Sequence, residues 1–260
     1  MEMRGLMGGL YRISEWIMRL SFINILWLVF SIPFVITSFL QILVMGTQEE
    51  LVIGSMYDLI SWMLIPLVLA PFTIFPATAA MFAVARKWVM GDEDVPLFRT
   101  FFQNYKSTYK KAMIGGLVFC FMFIVILVNL QFYSEQTSLL NGLRYLFIAL
   151  LAILAASAIN FMSFLAHFEM KLTSMLKNSV FFTIGRPLTS IYLLVTVGAI
   201  SYFSFFRFQF LIPFFMGTLI AVCSFWGFYK VVRKIQEKAE ERAQQEAEQA
   251  EADNGSGGNT

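Results

Sequence analysis

Six long stretches without a charged side chain decide what this chain can fold into. They run Leu20–Gln48, Leu59–Ala85, Ala112–Ser134, Tyr145–Ala166, Pro187–Phe206 and Phe208–Tyr229, each 20 to 29 residues long. A helix of about 20 apolar residues crosses the ~30 Å hydrocarbon core of a bilayer. Every backbone polar group must be paired there, and the runs lack the two-residue alternation of barrel strands, so helices are the solution. Only 14% of residues are charged and the mean hydropathy is +0.69, where a soluble domain carries roughly 25% charge. The expectation is an all-α polytopic membrane bundle of six transmembrane helices, spanning about 20–45, 59–85, 112–133, 145–166, 187–206 and 208–229. Residues 1–232 form the membrane domain on this reading, and 233–260 a charged stalk and tail. The first run is too long for the apolar core of a cleaved signal peptide.

The basic residues orient the bundle. Of the 19 lysines and arginines, only Arg144 and Arg207 fall on one side of the six spans. The positive-inside rule then predicts a cell-membrane protein with both termini and the two long connections in the cytoplasm. Trp16, Trp88, Trp226 and Tyr229 fall at the predicted cytoplasmic interface and Trp62 at the outer one, where amphipathic rings prefer to sit. The joint between the last two runs is thin, with Ser204, Arg207 and Gln209 as its only turn signals. Even so, 187–229 is too long for one crossing.

Three amphipathic segments precede outward-going spans. The first carries Leu10, Ile13, Ile17 and Leu20 on one face, the second Phe98, Phe101, Phe102, Tyr105 and Tyr109, the third Leu172, Met175, Leu176 and Val180. Apolar residues at helical spacing beside basic ones predict cytoplasmic helices in the interface plane. Asp94 before Pro96 reads as a start signal for the second. Beyond Lys230 the composition is rich in Ala, Glu, Gln, Lys and Arg, which predicts a helix to about Ala250 and a disordered Asn254–Thr260.

Sites for chemistry are scarce. The runs hold no ionisable side chain, which disfavours an ion-coupled pump. Asn24, Gln41, Asn129 and Asn160, with Ser157, Ser163, Thr196 and Ser201, read as packing groups that bond across helices. His167 stands alone at the end of the fourth run, short of the three or four ligands of a metal site. Cys120 and Cys223 read as small apolar residues, and Gly115-Gly116 lacks a P-loop context. No cofactor, catalytic set or nucleic-acid partner is expected.

The second run is different because it contains Pro66, Pro71 and Pro76. Each removes a backbone donor and clashes one turn back, so this span should be kinked or broken. Ala70–Phe75 reads as irregular, with a helix opening at Pro76, and Ala77, Thr78, Ala79 and Ala80 permit close helix approach. A proline-kinked packing helix accounts for this pattern first, and transporters also bind substrates at such breaks. The basic exit Arg86-Lys87-Trp88 also suits a phosphate headgroup.

Three blocks carry a resemblance: FINILWLVFSIP (Phe22–Pro33), FPATAAMFAVARKWVMGDED (Phe75–Asp94) with FRTFFQNYKSTYKKA after it, and MLKNSVFFTIGRPLTSI (Met175–Ile191). Over about residues 5–232 the chain resembles the YesL-like bacterial membrane proteins, a domain of unknown function found mainly in Gram-positive bacteria. The resemblance implies a multi-span membrane protein whose genes often lie beside carbohydrate uptake and glycan-degradation systems. The positions matching its blocks are Asn24, Trp27, Pro76, Ala77, Thr78, Arg86, Lys87, Trp88, Asn178, Arg186 and Pro187. It brings no established active site. The expected function is therefore non-enzymatic and accessory to sugar uptake or sensing, with the bilayer and a membrane transporter or envelope protein as partners. The alternative is a small-solute transporter or channel built on the broken second span.

Overall fold

The computed structural model describes residues 6–47, 64–134 and 142–256. The predicted outer connection Gly46–Asp58 (beyond Thr47), Trp62 and the turn 135–141 lie outside them. Among the described residues the protein is all-α. Its helices are α1 (Leu6–Phe30), α2 (Ile32–Thr47), α3 (Leu64–Phe72), α4 (Ile74–Val89), α5 (Leu97–Ser134), α6 (Leu143–His167), α7 (Leu172–Gly185), α8 (Pro187–Phe206) and α9 (Gly217–Ser256). Among the described residues five single helices are long and apolar enough to cross a membrane, and α3 with α4 makes a sixth where the pair, bent by 49°, is taken as one span.

The second span breaks where its prolines predict. Ala70–Phe72 tightens into a 3₁₀ turn, and α4 opens at Ile74 with the Ala77 N–H donating to Thr73 O at 3.2 Å. Pro76 falls in the first turn of α4, where its missing donor costs nothing. The break is close to the basic end of the α5 apolar stretch. Tyr109 Oη donates to Phe72 O at 3.1 Å, and Gly116 faces Pro71 and Phe75. Tyr109 and Gly116 lie on either side of Lys110-Lys111 in the chain.

α4 is the centre of the molecule. Pro76, Ala77, Ala79 through Ala85 and Trp88 are buried, enclosed by α1, α5, α6 and α9. Its alanines remove side-chain bulk, so four neighbours can approach one short helix closely. Its end is a Schellman motif: Gly91 takes φ +93°, its N–H donates to Trp88 O at 3.1 Å, and the Asp92 N–H donates to Lys87 O at 2.9 Å. Glycine takes that left-handed conformation without a Cβ penalty.

Several expectations are corrected. The first span is not continuous over 20–45, because the helix breaks at Ser31. Pro33 cannot donate to Val29 and crowds its carbonyl, while the Ser31 N–H divides between Trp27 O and Leu28 O, both at 3.0 Å. Two of the three amphipathic segments are not separate helices. The first is the start of α1 and the second the start of α5, which runs on through Gly115-Gly116 with no proline to stop it. At 38 residues, α5 is about 57 Å long, well beyond the ~30 Å hydrocarbon core. The third segment is a separate helix, α7, but it folds back along α6. Asn160 Nδ2 donates to Thr183 Oγ1 at 3.0 Å, and Thr183 Oγ1 donates to Ser179 O at 2.8 Å. Asp94 does not cap α5; Pro96 O accepts the first bond from Thr100 at 2.9 Å. The thin joint at Arg207 is a true turn, closed by the Phe208 N–H on Phe203 O at 2.7 Å. At the C-terminus the helix continues through Asn254–Ser256, where disorder was expected. One glycine in a run without proline costs only about 1 kcal/mol.

Candidate functional site: an amide clamp and two basic surfaces

The matched positions separate into three places. The first is built on Asn24, fully buried in α1. Opposite it the last span starts with a wide π turn, Ile212–Met216, whose spacing leaves backbone groups without the usual i−4 partners. The Asn24 side chain supplies both kinds of partner. Its Nδ2 donates to Ile212 O at 2.9 Å and Pro213 O at 2.7 Å. Its Oδ1 accepts from the Gly217 N–H at 2.8 Å and the Thr218 N–H at 3.2 Å. Thr218 Oγ1 donates to Leu20 O at 2.9 Å, one turn away on α1. A Cβ on Gly217 would come within 3.0 Å of Asn24 Oδ1 and 3.2 Å of Trp27. Glycine is what allows the approach.

Trp27 and Thr78 belong to the same place, the indole Nε1 donating to Thr78 Oγ1 at 2.9 Å. Pro76 and Ala77 stand beside them in the first turns of α4. A cycle of Trp27→Phe and Thr78→Val, read by unfolding in detergent, should give a coupling of about 0.6 kcal/mol, the usual worth of an inter-helix bond in a membrane protein. Zero coupling would mean that the bond does not stabilise the bundle.

The second place is the exit of α4. Arg86 Nη1 donates to Ala166 O at 3.2 Å, so this guanidinium is turned onto α6 instead of outward to a headgroup. Trp88 meets Trp16 edge-on, with ring centroids 5.6 Å apart. Arg19, only 9% exposed, ties α1 to the turn after α4. It donates to Glu15, to Glu93 O and to Asp94 Oδ1, the last at 2.8 Å. The Lys87 carbonyl accepts in the Schellman motif. His167 sits among Phe168, Phe225, Phe228 and Tyr229, at 4.6 to 6.2 Å between centroids. Its surroundings are those of an aromatic anchor. No group of three His, Cys, Asp or Glu among the described residues could hold a metal ion.

Asn178, Arg186 and Pro187 make the third place. Asn178 Nδ2 points to the Met170 sulfur at 3.8 Å, holding α7 over the turn that precedes it. Arg186 and Pro187 form the α7–α8 corner, secured by Ser190 Oγ on Thr183 O at 2.7 Å. They line a groove of about 550 Å³ with Lys230, Lys234 and Lys238 of α9. A separate cleft of about 490 Å³ opens at the break of the second span between α2, α3, α5 and α6. Ser38, Gln41 and Cys120 are the polar side chains of its otherwise apolar lining.

The structure thus joins Asn24, Trp27 and Thr78, leaves Arg86 and Trp88 at a different level of the bundle, and sets Asn178, Arg186 and Pro187 apart. Sequence reasoning missed Gly217, Thr218 and Arg19. Pro213 in the last apolar run was a visible signal that its helix starts irregularly.

The fold is that of a multi-pass, all-helical membrane protein whose buried polar side chains bind its own helices together. The family described as "Protein of unknown function, DUF624" matches residues 20–130. In Bacillus subtilis (strain 168), "Uncharacterized protein YteU" is 28% identical over 240 residues, covering 91% of both chains. "Uncharacterized protein YesL" is 26% identical over 235 residues, 89% of this chain and 93% of its own. "Uncharacterized protein YesV" is 31% identical over 169 residues, 60% of this chain and 76% of its own. The chain belongs to this family, in agreement with the YesL-like resemblance of its sequence blocks. No solved structure matches it.

Proposed function

We propose that the protein is a non-enzymatic partner protein of the cell membrane, accessory to carbohydrate uptake or sensing, with both termini in the cytoplasm. One observation carries this reading: the matched polar side chains of Asn24, Trp27, Thr78 and Arg86 are engaged within the bundle. Asn24 grips the α9 backbone, Trp27 bonds Thr78, and Arg86 bonds the α6 carbonyl terminus. Such residues set helix positions, and the protein then acts through the surface those helices present. The role in carbohydrate uptake rests on the gene surroundings implied by the family resemblance.

Crosslinking in intact cells followed by purification from native membranes tests the proposal. A transporter or envelope component should co-purify, and deletion should change sugar uptake. If no such component is recovered and uptake is unchanged, the reading fails. For orientation, a reporter active only outside the membrane should be active when fused near Gly54 and silent near Asp92. The reverse pattern would invert the topology.

The cleft beside the α3–α4 break favours a second reading, transport of a small solute. Reconstituted flux altered by Pro76→Ala and Arg86→Ala would support it. Its mostly apolar lining offers few of the convergent polar groups that orient a sugar, so this reading ranks second.

A further inference from the structure

The groove between the start of α8 and the middle of α9 lies outside the contacts that close the bundle. Lys230, Lys234 and Lys238 follow one another at four-residue spacing, so they share a face of α9. Arg186 at the α7–α8 corner faces the same space. Four cations therefore line a groove that includes no acidic side chain, and none of the four forms an ion pair among the described residues. The nearest acid along α9, Glu237, is already held by Arg233 at 2.7 Å. Like charges repel when crowded on a surface, and an anion in the groove relieves that repulsion.

The floor indicates what kind of anion. Trp226 and Tyr192 lie at its base, with ring centroids 6.2 Å apart, and Lys230 Nζ stands 5.2 Å from the Trp226 ring centre. Below the cations, Leu188, Ile191 and Val195 follow along the outer face of α8, at 83%, 57% and 64% exposure. A ligand that fits this sequence is charged at one end, amphipathic at the aromatic level and apolar along the helix. Free phosphate would leave the aromatic floor and the aliphatic stripe unused.

We propose that this groove binds the headgroup of an anionic phospholipid, with Arg186, Lys230, Lys234 and Lys238 on the phosphate and the acyl chains lying along α8. The site differs from the Arg86-Lys87 exit, where the guanidinium is turned inward. It rests on the membrane-spanning fold and not on the accessory role. A failed search for protein partners would therefore leave it standing.

Native mass spectrometry of the full chain, titrated with phosphatidylglycerol or phosphatidylcholine, tests the assignment. The wild type should retain one phosphatidylglycerol with at least about tenfold preference, given roughly 1 kcal/mol per cation near an anionic surface. Lys230→Gln/Lys234→Gln/Lys238→Gln should abolish the preference, and Arg186→Gln should weaken it. Lys106→Gln/Lys110→Gln on α5 should leave it intact. All these side chains are surface groups, and unchanged elution and helix content would confirm that the variants fold. Equal retention of the two lipids, or undiminished preference in the triple variant, would overturn the proposal. So would displacement of the lipid by millimolar inorganic phosphate, which would make free phosphate the occupant.

Discussion

Replacing Asn24 with leucine is expected to destabilise the protein by about 3 kcal/mol, read as a lower midpoint of unfolding in detergent. The change strands two backbone donors, at Gly217 and Thr218, and two carbonyls, at Ile212 and Pro213. A buried group left without its partner costs about 1–3 kcal/mol. Inter-helix bonds in membrane proteins average nearer 0.6 kcal/mol because the separated helices find other partners. Four stranded groups at an intermediate value give the estimate. Gly217→Ala should also destabilise, because its methyl group would press on Asn24 Oδ1. The two effects should not add: with Asn24→Ala in place, the space it vacates accepts the methyl group introduced at Gly217. Strict additivity would show that the amide does not position α9.

The second large effect is expected at Gly115 and Gly116, where α5 presses on its neighbours. A Cβ on Gly116 would stand 2.7 Å from the Phe75 ring and 3.0 Å from the Pro71 backbone, which cannot turn aside as a side chain can. A Cβ on Gly115 would strike the ring of Phe161, itself fully buried. Overpacking of this kind costs about 1–3 kcal/mol, and Gly116→Ala should be near the upper end. Phe161→Leu should recover part of the loss in Gly115→Ala and none in Gly116→Ala. Gly198→Ala is the control, since nothing lies within 4 Å of its added methyl. There the gain in helix propensity, about 0.5–1 kcal/mol, should leave stability equal or higher. Thermal unfolding of all these variants in one detergent checks the set.

These two sites show what could and could not be read from the chain. The all-α, multi-pass character followed from charge-free length, and the break in the second span from Pro71 and Pro76, because both are local properties. Pro33 carried the same information about the first span. Its break was overlooked because an uninterrupted apolar run suggests one helix. Gly115-Gly116 was legible as a glycine pair without a phosphate loop, yet its use as a contact point depends on Phe161 and Phe75 arriving from other helices. Asn24 was recognisable as a polar group bonding across helices, but periodicity assigns a residue to a face and does not say which helix covers that face. Arg19 was counted as one of the basic residues that set orientation. Its burial against Glu15 and Asp94 needed the turn after α4 to fold back, which no local pattern specifies.

The enclosure of α4 also bears on how the protein is made. Two sides of its seal, α1 and α9, come from opposite ends of the chain, and the amide that joins them spans 193 residues of sequence. While the ribosome is still producing the middle of the chain, α4 has no α9 to cover it and Asn24 has no backbone to grip. Contacts between such distant segments form late, since a long loop must close first. A chain cut short before Gly217 would therefore leave an open seam in the bilayer, with an unpaired amide and a proline-broken helix facing lipid.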